Sequence, residues 1–199
     1  MHALILVDIQ NDFLPGGSLE VKAGDEIIPY INGIMADFDI VVATQDWHPM
    51  DHGSFASNHP GKNIGEVIKL EGLDQILWPD HCIQHSKGAE FSRDLDMHRV
   101  QMIFHKGTDP KIDSYSGLYD NGHLKSTGLG EYLKAEGVTE VTCVGLAADY
   151  CLKFTALDAV KKFGFKTHVP VKGTKAVNIN PDDFAKSLEE MKKAGVIVS

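Results

Sequence analysis

The sequence predicts an α/β protein, a three-layer α/β/α sandwich with helices on both faces of a predominantly parallel sheet of about six strands. Short apolar segments alternate with segments of helical periodicity, as in parallel βαβ units with right-handed crossovers. The first apolar segment, residues 2–8, is continuous, which indicates a strand covered on both faces. The 199 residues contain no repeat or linker, so we expect one domain spanning 1–199.

A helix is expected after this first strand, because apolar side chains recur at helical spacing. They are Ile27, Ile28, Ile31, Ile34, Met35 and Phe38. Asp25 is the expected N-cap of the helix, and Pro29 lies near its first turn, where proline is tolerated.

A second strand is predicted at 40–45, ending at Asp46. The stretch from Trp47 to about Arg99 shows no clear periodicity and is rich in Gly, His, Pro, Ser and Asn. A compact domain rarely contains so long an irregular stretch, and we therefore expect a functional loop region there.

The rest of the chain continues the alternation of strands and helices. Strands are predicted at 100–105, 139–146, 165–171 and 196–198. Helices are predicted around Leu129, Tyr132 and Leu133, at about 149–163, and at 181–194, which Pro181 opens.

Composition excludes several classes of function. The net charge of −9 and the absence of Lys/Arg runs argue against nucleic acid and anionic membranes as partners. No segment has the length of a membrane span, and the N-terminus does not read as a signal peptide. Three cysteines, an odd number, suit free thiols in a reducing compartment, so a cytoplasmic location is expected.

Three apolar runs lead into three different reactive groups: Asp8, Lys106 and Cys151. In an open parallel sheet the carboxyl ends of the strands meet where ligands bind, so these groups could meet in space. Together they would form a cysteine nucleophile with a base and a charge partner. The alternative is structural, since polar residues commonly end strands and free cysteines are commonly buried packing.

Cys151 is predicted to lie at the start of a helix, after the small, turn-prone residues 145–149. The positive end of the helix dipole and a nearby Lys106 would lower the pKa of the thiol. The free amides there could also receive an oxyanion. Cys82 and Cys143 lack this setting, and Cys143 is expected in the core.

Asp46 and His48 leave the second strand on the same side and could share one cation, with His81 completing the set. His52 follows four residues after His48. Carboxylate and imidazole ligands suit Zn²⁺, Fe²⁺ or Mn²⁺, although ten histidines make chance pairs common. Loop aromatics near these positions either seal the loops onto the core or form a slot for a flat ring; they are Phe13, Trp47, Trp78 and Tyr115.

Long motifs of the chain resemble those of the nicotinamidases, also called pyrazinamidases, among the isochorismatase-like cysteine hydrolases. The matching segments are LILVDIQNDFLPGGSL at 4–19, ATQDWHPMDHGSF at 43–55, LWPDHC at 77–82, HKGTDPKIDSYSG at 105–117 and VGLAADYCLKFTALDA at 144–159. The resemblance implies an isochorismatase-like fold and the hydrolysis of nicotinamide to nicotinate and ammonia, for NAD salvage. It also implies pyrazinamide as a further substrate.

The resemblance also implies roles for individual residues. Asp8, Lys106 and Cys151 would be the catalytic triad. One divalent metal, with Zn²⁺ preferred over Fe²⁺ or Mn²⁺, would be held by Asp46, His48 and His81; His52 ligates in some relatives only. A cis peptide at Leu146–Ala147 and the amides of Ala147 and Cys151 would form the oxyanion hole. Phe13, Trp78, Tyr115 and Leu146 would line the substrate pocket.

The alternatives are another amidohydrolase of this superfamily, acting on N-carbamoylsarcosine or ureidoacrylate, an isochorismatase, or a non-catalytic flavodoxin-like binding module. The amidohydrolases share the three reactive groups but are not expected to show the metal-ligand motifs, and many isochorismatases lack the cysteine. The expected partner is a small molecule. The sequence leaves homo-oligomer formation and the identity of the metal open.

Overall fold

The computed structural model describes residues 1–199 and contains nine strands. These are β1 His2–Val7, β2 Ile40–Asp46, β3 Val67–Leu70, β4 Leu73–Ile76, β5 Met102–Lys106, β6 Glu140–Leu146, β7 Lys166–Val169, β8 Thr174–Lys175 and β9 Ile197–Val198. Seven strands form one sheet in the order β5-β2-β1-β6-β7-β9, with β8 also paired to β6. Every pairing in this sheet is parallel, which confirms the predicted fold class.

The sheet is covered on both faces. Its four α-helices are α1 Ile28–Ile34, α2 Leu129–Ala135, α3 Cys151–Lys161 and α4 Asp183–Lys193. Helices α2, α3 and α4 share one core with Ala3, Ile5 and Val7 of β1. Helix α1 and neighbouring loop residues share the other core with Leu4 and Leu6. Because alternate residues of β1 enter opposite cores, the central strand is apolar throughout.

None of the helices has the length and apolar content that crossing a bilayer requires.

The predicted first helix differs from the observed one. Asp25 is not an N-cap; it lies within a 3₁₀ turn, Gly24–Ile27, for which no side-chain capping bond forms. The α-helix begins only at Ile28, with Pro29 in its first turn, and a second 3₁₀ turn, Met35–Asp37, ends it. The apolar spacing therefore located the buried face correctly, and the capping prediction was wrong.

Two further elements were absent from the prediction. Strands β3 and β4 form an antiparallel hairpin inside the stretch that was expected to be irregular. The strand predicted at 165–171 ends at Val169, and the chain passes through a 3₁₀ turn into the short strand β8. Strand β8 brings the sheet to seven strands, one more than the predicted number.

The carboxyl ends of β1 and β6 approach each other closely at Gly145. This residue pairs with Val7 and has a φ of +119°. A Cβ atom at this position would overlap the Val7 carbonyl oxygen. Only glycine fits both the backbone angle and the close approach, so Gly145 allows β6 to lie against Val7 just before the turn that leads to α3.

Candidate active site

Four sheet strands bring their carboxyl ends to one place. Asp8 directly follows β1, Asp46 ends β2 and Lys106 ends β5, while Cys151 opens α3 a few residues after β6. The registers place Asp46 opposite Lys106 and Val7 opposite Gly145. All four side chains belong to buried residues, so residues far apart in sequence form one charged cluster inside the protein.

Lys106 lies at the centre of this cluster. Its Nζ is 2.9 Å from Asp8 Oδ2, 2.8 Å from Asp46 Oδ1 and 3.4 Å from Cys151 Sγ. It also donates to the Ser114 carbonyl oxygen, at 2.9 Å. One ammonium group thus connects the acid, the thiol and the second carboxylate, and both carboxylates are compensated although they are buried.

The Asp8 carboxylate is held on both oxygens. Thr44 Oγ1 donates to Asp8 Oδ1 at 2.7 Å, and Oδ2 faces Lys106. The φ of Asp8 is +48°, in the left-handed region that aspartate tolerates better than most residues. An oxygen of Asp8 and the Cys151 sulfur lie within 4.8 Å of each other, a separation compatible with proton exchange between base and thiol.

The expectation of a lowered thiol pKa is wrong. Burial raises the pKa of Cys151 well above its ordinary value, against the opposing effect of Lys106. Burial likewise raises the pKa of Asp8, again against Lys106. The resting group is therefore a neutral thiol beside a carboxylate with increased proton affinity. Such a pair favours transfer of the thiol proton to Asp8 during attack over a thiolate formed in advance.

The other two ionisable groups of the cluster, Asp46 and Lys106, are both held in their charged forms. Burial alone would raise the pKa of Asp46, but His48 and Lys106 outweigh it and hold the pKa well below the ordinary value. Burial alone would lower the pKa of Lys106, but Asp46 and Asp8 hold it well above its ordinary value. Lys106 therefore remains an ammonium, and it acts through its charge and not as a proton donor.

A second group of buried side chains contains Asp46, His48 and His81, with one ligand atom from each within 4.8 Å of the others. His48 Nδ1 lies 2.9 Å from the Gly107 carbonyl oxygen and His81 Nδ1 lies 2.8 Å from that of Pro79. A carbonyl oxygen only accepts, so each Nδ1 carries a proton and each Nε2 is turned away from that carbonyl. Burial alone would lower the pKa of His48, but Asp46 raises it, so a cation at Nε2 of His48 would displace a proton.

Both Nε2 atoms face the Asp46 carboxylate, at 3.3 Å for His48 and 3.7 Å for His81. With Nε2 deprotonated on both rings, the two lone pairs and the carboxylate form a donor set suited to a divalent cation. The predicted ligands are thus brought together, with their rings oriented by backbone carbonyls.

His52 lies beside this group. Its ring centroid is 4.2 Å from that of His48, and its Nδ1 is 2.7 Å from Ser54 Oγ. Its Nε2 is buried without a hydrogen-bond partner. Burial, followed by the neighbouring His48, lowers the pKa of His52 to about 4, so the ring is neutral. Its ligand atom groups with those of His48 and Asp113, and not with the Asp46–His48–His81 set.

A small cavity opens onto both groups. Its wall is largely apolar, and the sulfur-bearing Cys151 and the candidate ligands Asp46 and His81 are part of it. The remaining lining residues are Phe13, Leu19, Trp78, Asp113, Tyr115, Ala147, Tyr150 and Val177. An apolar wall with a few polar groups suits a small flat molecule.

Two of the predicted aromatic and apolar positions are absent from this wall. Leu146 is fully buried in the core beside α1, so its side chain does not line the cavity. Trp47 instead stacks on His105 near the edge strand, with ring centroids 4.9 Å apart. The peptide bond between Leu146 and Ala147 is cis, as the resemblance implies.

Four lining residues escaped the sequence analysis: Leu19, Asp113, Tyr150 and Val177. Leu19, Asp113 and Tyr150 lie inside the motifs at 4–19, 105–117 and 144–159, so a signal for them existed. Val177 lies outside these motifs and reaches the cavity only through tertiary packing. Asp149 secures Val177 by accepting from its amide at 3.0 Å and from that of Asn178 at 2.8 Å.

Comparison with known proteins gives consistent relatives. The isochorismatase domain family matches residues 2–199. A nicotinamidase from Escherichia coli (strain K12) is 44% identical over 198 residues, covering 98% of this chain and 92% of the relative. The yeast nicotinamidase bound to the inhibitor nicotinaldehyde superposes with a TM-score of 0.94 at 33% identity, covering 100% of this chain and 99% of that one.

The pyrazinamidase of Pyrococcus horikoshii in complex with zinc superposes with a TM-score of 0.80 at 38% identity, covering 100% of this chain and 98% of that one. These similarities extend over nearly the whole length of each protein.

Proposed function

Because the chain belongs to the isochorismatase domain family, we propose that it is an amidase that hydrolyses nicotinamide to nicotinate and ammonia. The observation that carries this proposal is the Cys151 thiol, within reach of Asp8 and Lys106, on the wall of a cavity that also presents a metal-ligand set. The relatives at high identity over the full length are nicotinamidases, which supports this substrate.

The first step is attack by Cys151. Asp8 accepts the thiol proton as the sulfur bonds to the amide carbon, which gives a tetrahedral intermediate. The backbone amides of Ala147 and Cys151 stabilise its oxyanion, supported by the position of both residues at the cavity wall and of Cys151 at the start of α3. Lys106 keeps its charge throughout and offsets the negative charge of Asp8 and Asp46.

The second step releases ammonia. Asp8 returns the proton to the departing nitrogen, the carbon–nitrogen bond breaks, and a thioester of Cys151 remains. Asp8, again a carboxylate, then removes a proton from a water molecule that attacks the thioester carbon. The carbon–sulfur bond breaks, the thiol regains its proton, and nicotinate leaves.

We propose that Asp46, His48 and His81 hold one divalent cation, with Zn²⁺ first and Fe²⁺ or Mn²⁺ as alternatives. The two Nε2 lone pairs that face a buried carboxylate fit such an ion. The zinc complex of the related pyrazinamidase supports the choice of zinc. When bound, the cation would supply a Lewis acid for the ring nitrogen of the substrate. His52 remains a candidate ligand because its buried Nε2 has no partner.

Pyrazinamide is proposed as a second substrate, because it is a planar aromatic carboxamide that differs from nicotinamide by one ring nitrogen. The related pyrazinamidase supports this assignment.

Three further proposals concern the whole protein. The family match over residues 2–199 supports a single domain. Three buried cysteines, none in a disulfide, support a cytoplasmic location. The partner is a small molecule, and a homo-oligomer remains compatible with the fold.

The proposal is tested by measuring ammonia release from nicotinamide by the purified, metal-loaded protein. N-carbamoylsarcosine and ureidoacrylate serve as comparison substrates. We expect release from nicotinamide at the highest kcat/KM. Release only from the comparison substrates would assign the site to another amidohydrolase of the superfamily, and inertness toward all of them would favour the binding module.

A further inference from the structure

The β3–β4 hairpin sends a single side chain into the protein. Most of its residues are exposed or half-buried, as expected of a two-stranded ribbon on the surface. Gln75 of β4 is the one buried residue in either strand, with 2% of its surface exposed. A buried amide must satisfy its hydrogen-bonding groups inside the protein, so the contacts of Gln75 indicate what the hairpin does.

The Gln75 amide binds two residues of the cavity wall. Its Nε2 donates to the Ile76 carbonyl oxygen at 2.8 Å and to Asp113 Oδ2 at 2.9 Å, and it lies 3.3 Å from the Tyr115 hydroxyl. The same hydroxyl accepts from Trp78 Nε1 at 3.1 Å. Asp113, Tyr115 and Trp78 all line the cavity that contains Cys151. One hairpin side chain thus connects an acidic, a phenolic and an indole wall residue.

Gln75 does not belong to the reacting groups. No contact links it to Asp8, Lys106 or Cys151, which are held by Thr44, Ser114 and one another. Its loss should therefore move the wall without disturbing the thiol, its base or the ammonium. In kinetic terms, substrate binding would weaken while the chemical step continued.

We propose that Gln75 is a positioning residue that sets the substrate specificity of the cavity, by holding Asp113 and Tyr115 against the ring of a planar aromatic carboxamide. The hairpin is then a specificity element of the enzyme. This inference rests on the proposed function, because it assumes that the ring of the substrate occupies this cavity.

The polarity of the Gln75–Asp113 bond gives the proposal a sharp test. Asp113 accepts on both oxygens, from Gln75 on Oδ2 and from the Ser114 amide on Oδ1, at 2.7 Å. In Asp113→Asn the new NH₂ group must therefore face one of these donors. Adding Gln75→Glu restores a donor–acceptor pair with its direction reversed and restores the net charge, at the loss of the bond that Gln75 donates to the Ile76 carbonyl oxygen.

The experiment measures KM and kcat for nicotinamide and pyrazinamide with the metal-loaded protein. We expect Gln75→Leu and Asp113→Asn each to raise KM on the order of tenfold, with kcat within about threefold, and to change the ratio of kcat/KM between the two substrates. The double variant Asp113→Asn/Gln75→Glu should have a lower KM than Asp113→Asn alone, because the bond between positions 75 and 113 is restored although the bond to Ile76 is not. Asp74→Asn, on the exposed side of the same strand, is the matched control and should behave as wild type.

Different outcomes separate the two proposals. If the wild type acts on nicotinamide but Gln75→Leu keeps its KM and substrate ratio, the role of Gln75 is overturned and the proposed function stands. If the variants had a lower Tm but an unchanged KM, Gln75 would have only a structural role, and its proposed role in specificity would also be overturned. If the KM of the double variant were no lower than that of Asp113→Asn, the hydrogen bond between Gln75 and Asp113 would not be what positions the wall, and the proposed role of Gln75 would be overturned. A wild type that is inert toward both carboxamides would overturn both proposals.

Discussion

Lys106 links the two parts of the site at the scale of single residues. Its ammonium contacts Asp8, which serves the thiol, and Asp46, which faces the two histidines. The same charge therefore compensates the proposed proton acceptor and the proposed metal ligand. This arrangement explains how two carboxylates remain buried side by side at the end of a parallel sheet.

Replacing Cys151 with alanine tests the nucleophile. We expect Cys151→Ala to lower ammonia release from nicotinamide by more than about 10³-fold, because no other thiol lines the cavity. Nicotinamide should still bind, since the wall and the metal-ligand set are intact; isothermal titration calorimetry measures this.

The matched control is Cys143→Ala, which changes a cysteine buried in β6, outside the cavity. It should retain kcat, with some loss of stability from the smaller side chain. Substantial turnover by Cys151→Ala would reject the assignment of the nucleophile.

His2 gives the fold a pH dependence remote from the site. Burial lowers the pKa of His2, against the raising effect of Glu140 and with smaller lowering effects of His168 and Lys166. A lowered folded-state pKa means that the unfolded chain binds the proton more tightly. The contribution of His2 to stability is therefore complete above the unfolded pKa of about 6.5 and is lost as pH falls through the lower folded pKa.

We accordingly expect His2→Gln to lose less stability than the wild type between pH 7.5 and pH 5. Urea unfolding at both pH values measures this, with His98→Gln, an exposed histidine in the 3₁₀ turn Met97–Arg99, as the control. Equal pH dependence in the wild type and His2→Gln would contradict the assignment.

At this scale the sequence located most of the site. Asp8, Lys106, Cys151, Asp46 and His48 come together because each follows or ends a recognisable strand, or opens a helix, at one edge of the sheet. His81 joins them from the irregular segment after the hairpin. Leu146 and Trp47 do not line the cavity, because the direction of a side chain depends on tertiary packing. The pKa of Cys151 was misjudged because helix position was weighed without the cost of complete burial.

Among the elements, the apolar strands and helices were predictable and the hairpin was not. Strands β3 and β4 are four residues long and turn through Glu71 and Gly72, both with positive φ. A two-residue turn of this kind usually carries Asn-Gly or Asp-Gly, so the weaker Glu-Gly signal was missed. The burial of Gln75 could not be predicted for the same reason, because a polar residue in an unrecognised strand gives no indication that it is buried.

The junction between β6 and the turn before α3 depends on Gly145. We expect Gly145→Ala to destabilise the protein by well over ~1 kcal/mol, because it combines a φ of +119° with overlap on the Val7 carbonyl. It should also lower kcat, since the turn that places Ala147 and Cys151 must shift.

Gly164→Ala is the control for the backbone angle alone. Its φ is +65°, but a Cβ there meets nothing within 4 Å, so a loss of about 1 kcal/mol with normal kcat is expected. Urea unfolding and ammonia release measure both effects. If the two variants lost equal stability and both kept full activity, close approach at Gly145 would not matter.

At the scale of the whole molecule, the candidate metal site brings together side chains from segments that are far apart in sequence. Asp46 ends a central strand, His48 follows it, and His81 belongs to the long segment after the hairpin. The two Nε2 atoms and the Asp46 carboxylate face one another inside the protein. A cation that binds only the folded state should therefore stabilise the whole chain.

We expect removal of the metal with a chelator such as dipicolinate to lower the Tm by several degrees, and stoichiometric Zn²⁺ to restore it. Asp46→Ala should contain no bound metal by elemental analysis and should show no chelator-dependent shift, because one ligand is gone and Lys106 has lost a partner. Asp74→Ala, an exposed carboxylate of the hairpin, should keep the wild-type metal content and shift. Full metal occupancy in Asp46→Ala would place the ion elsewhere, and the paired histidines would then need another explanation.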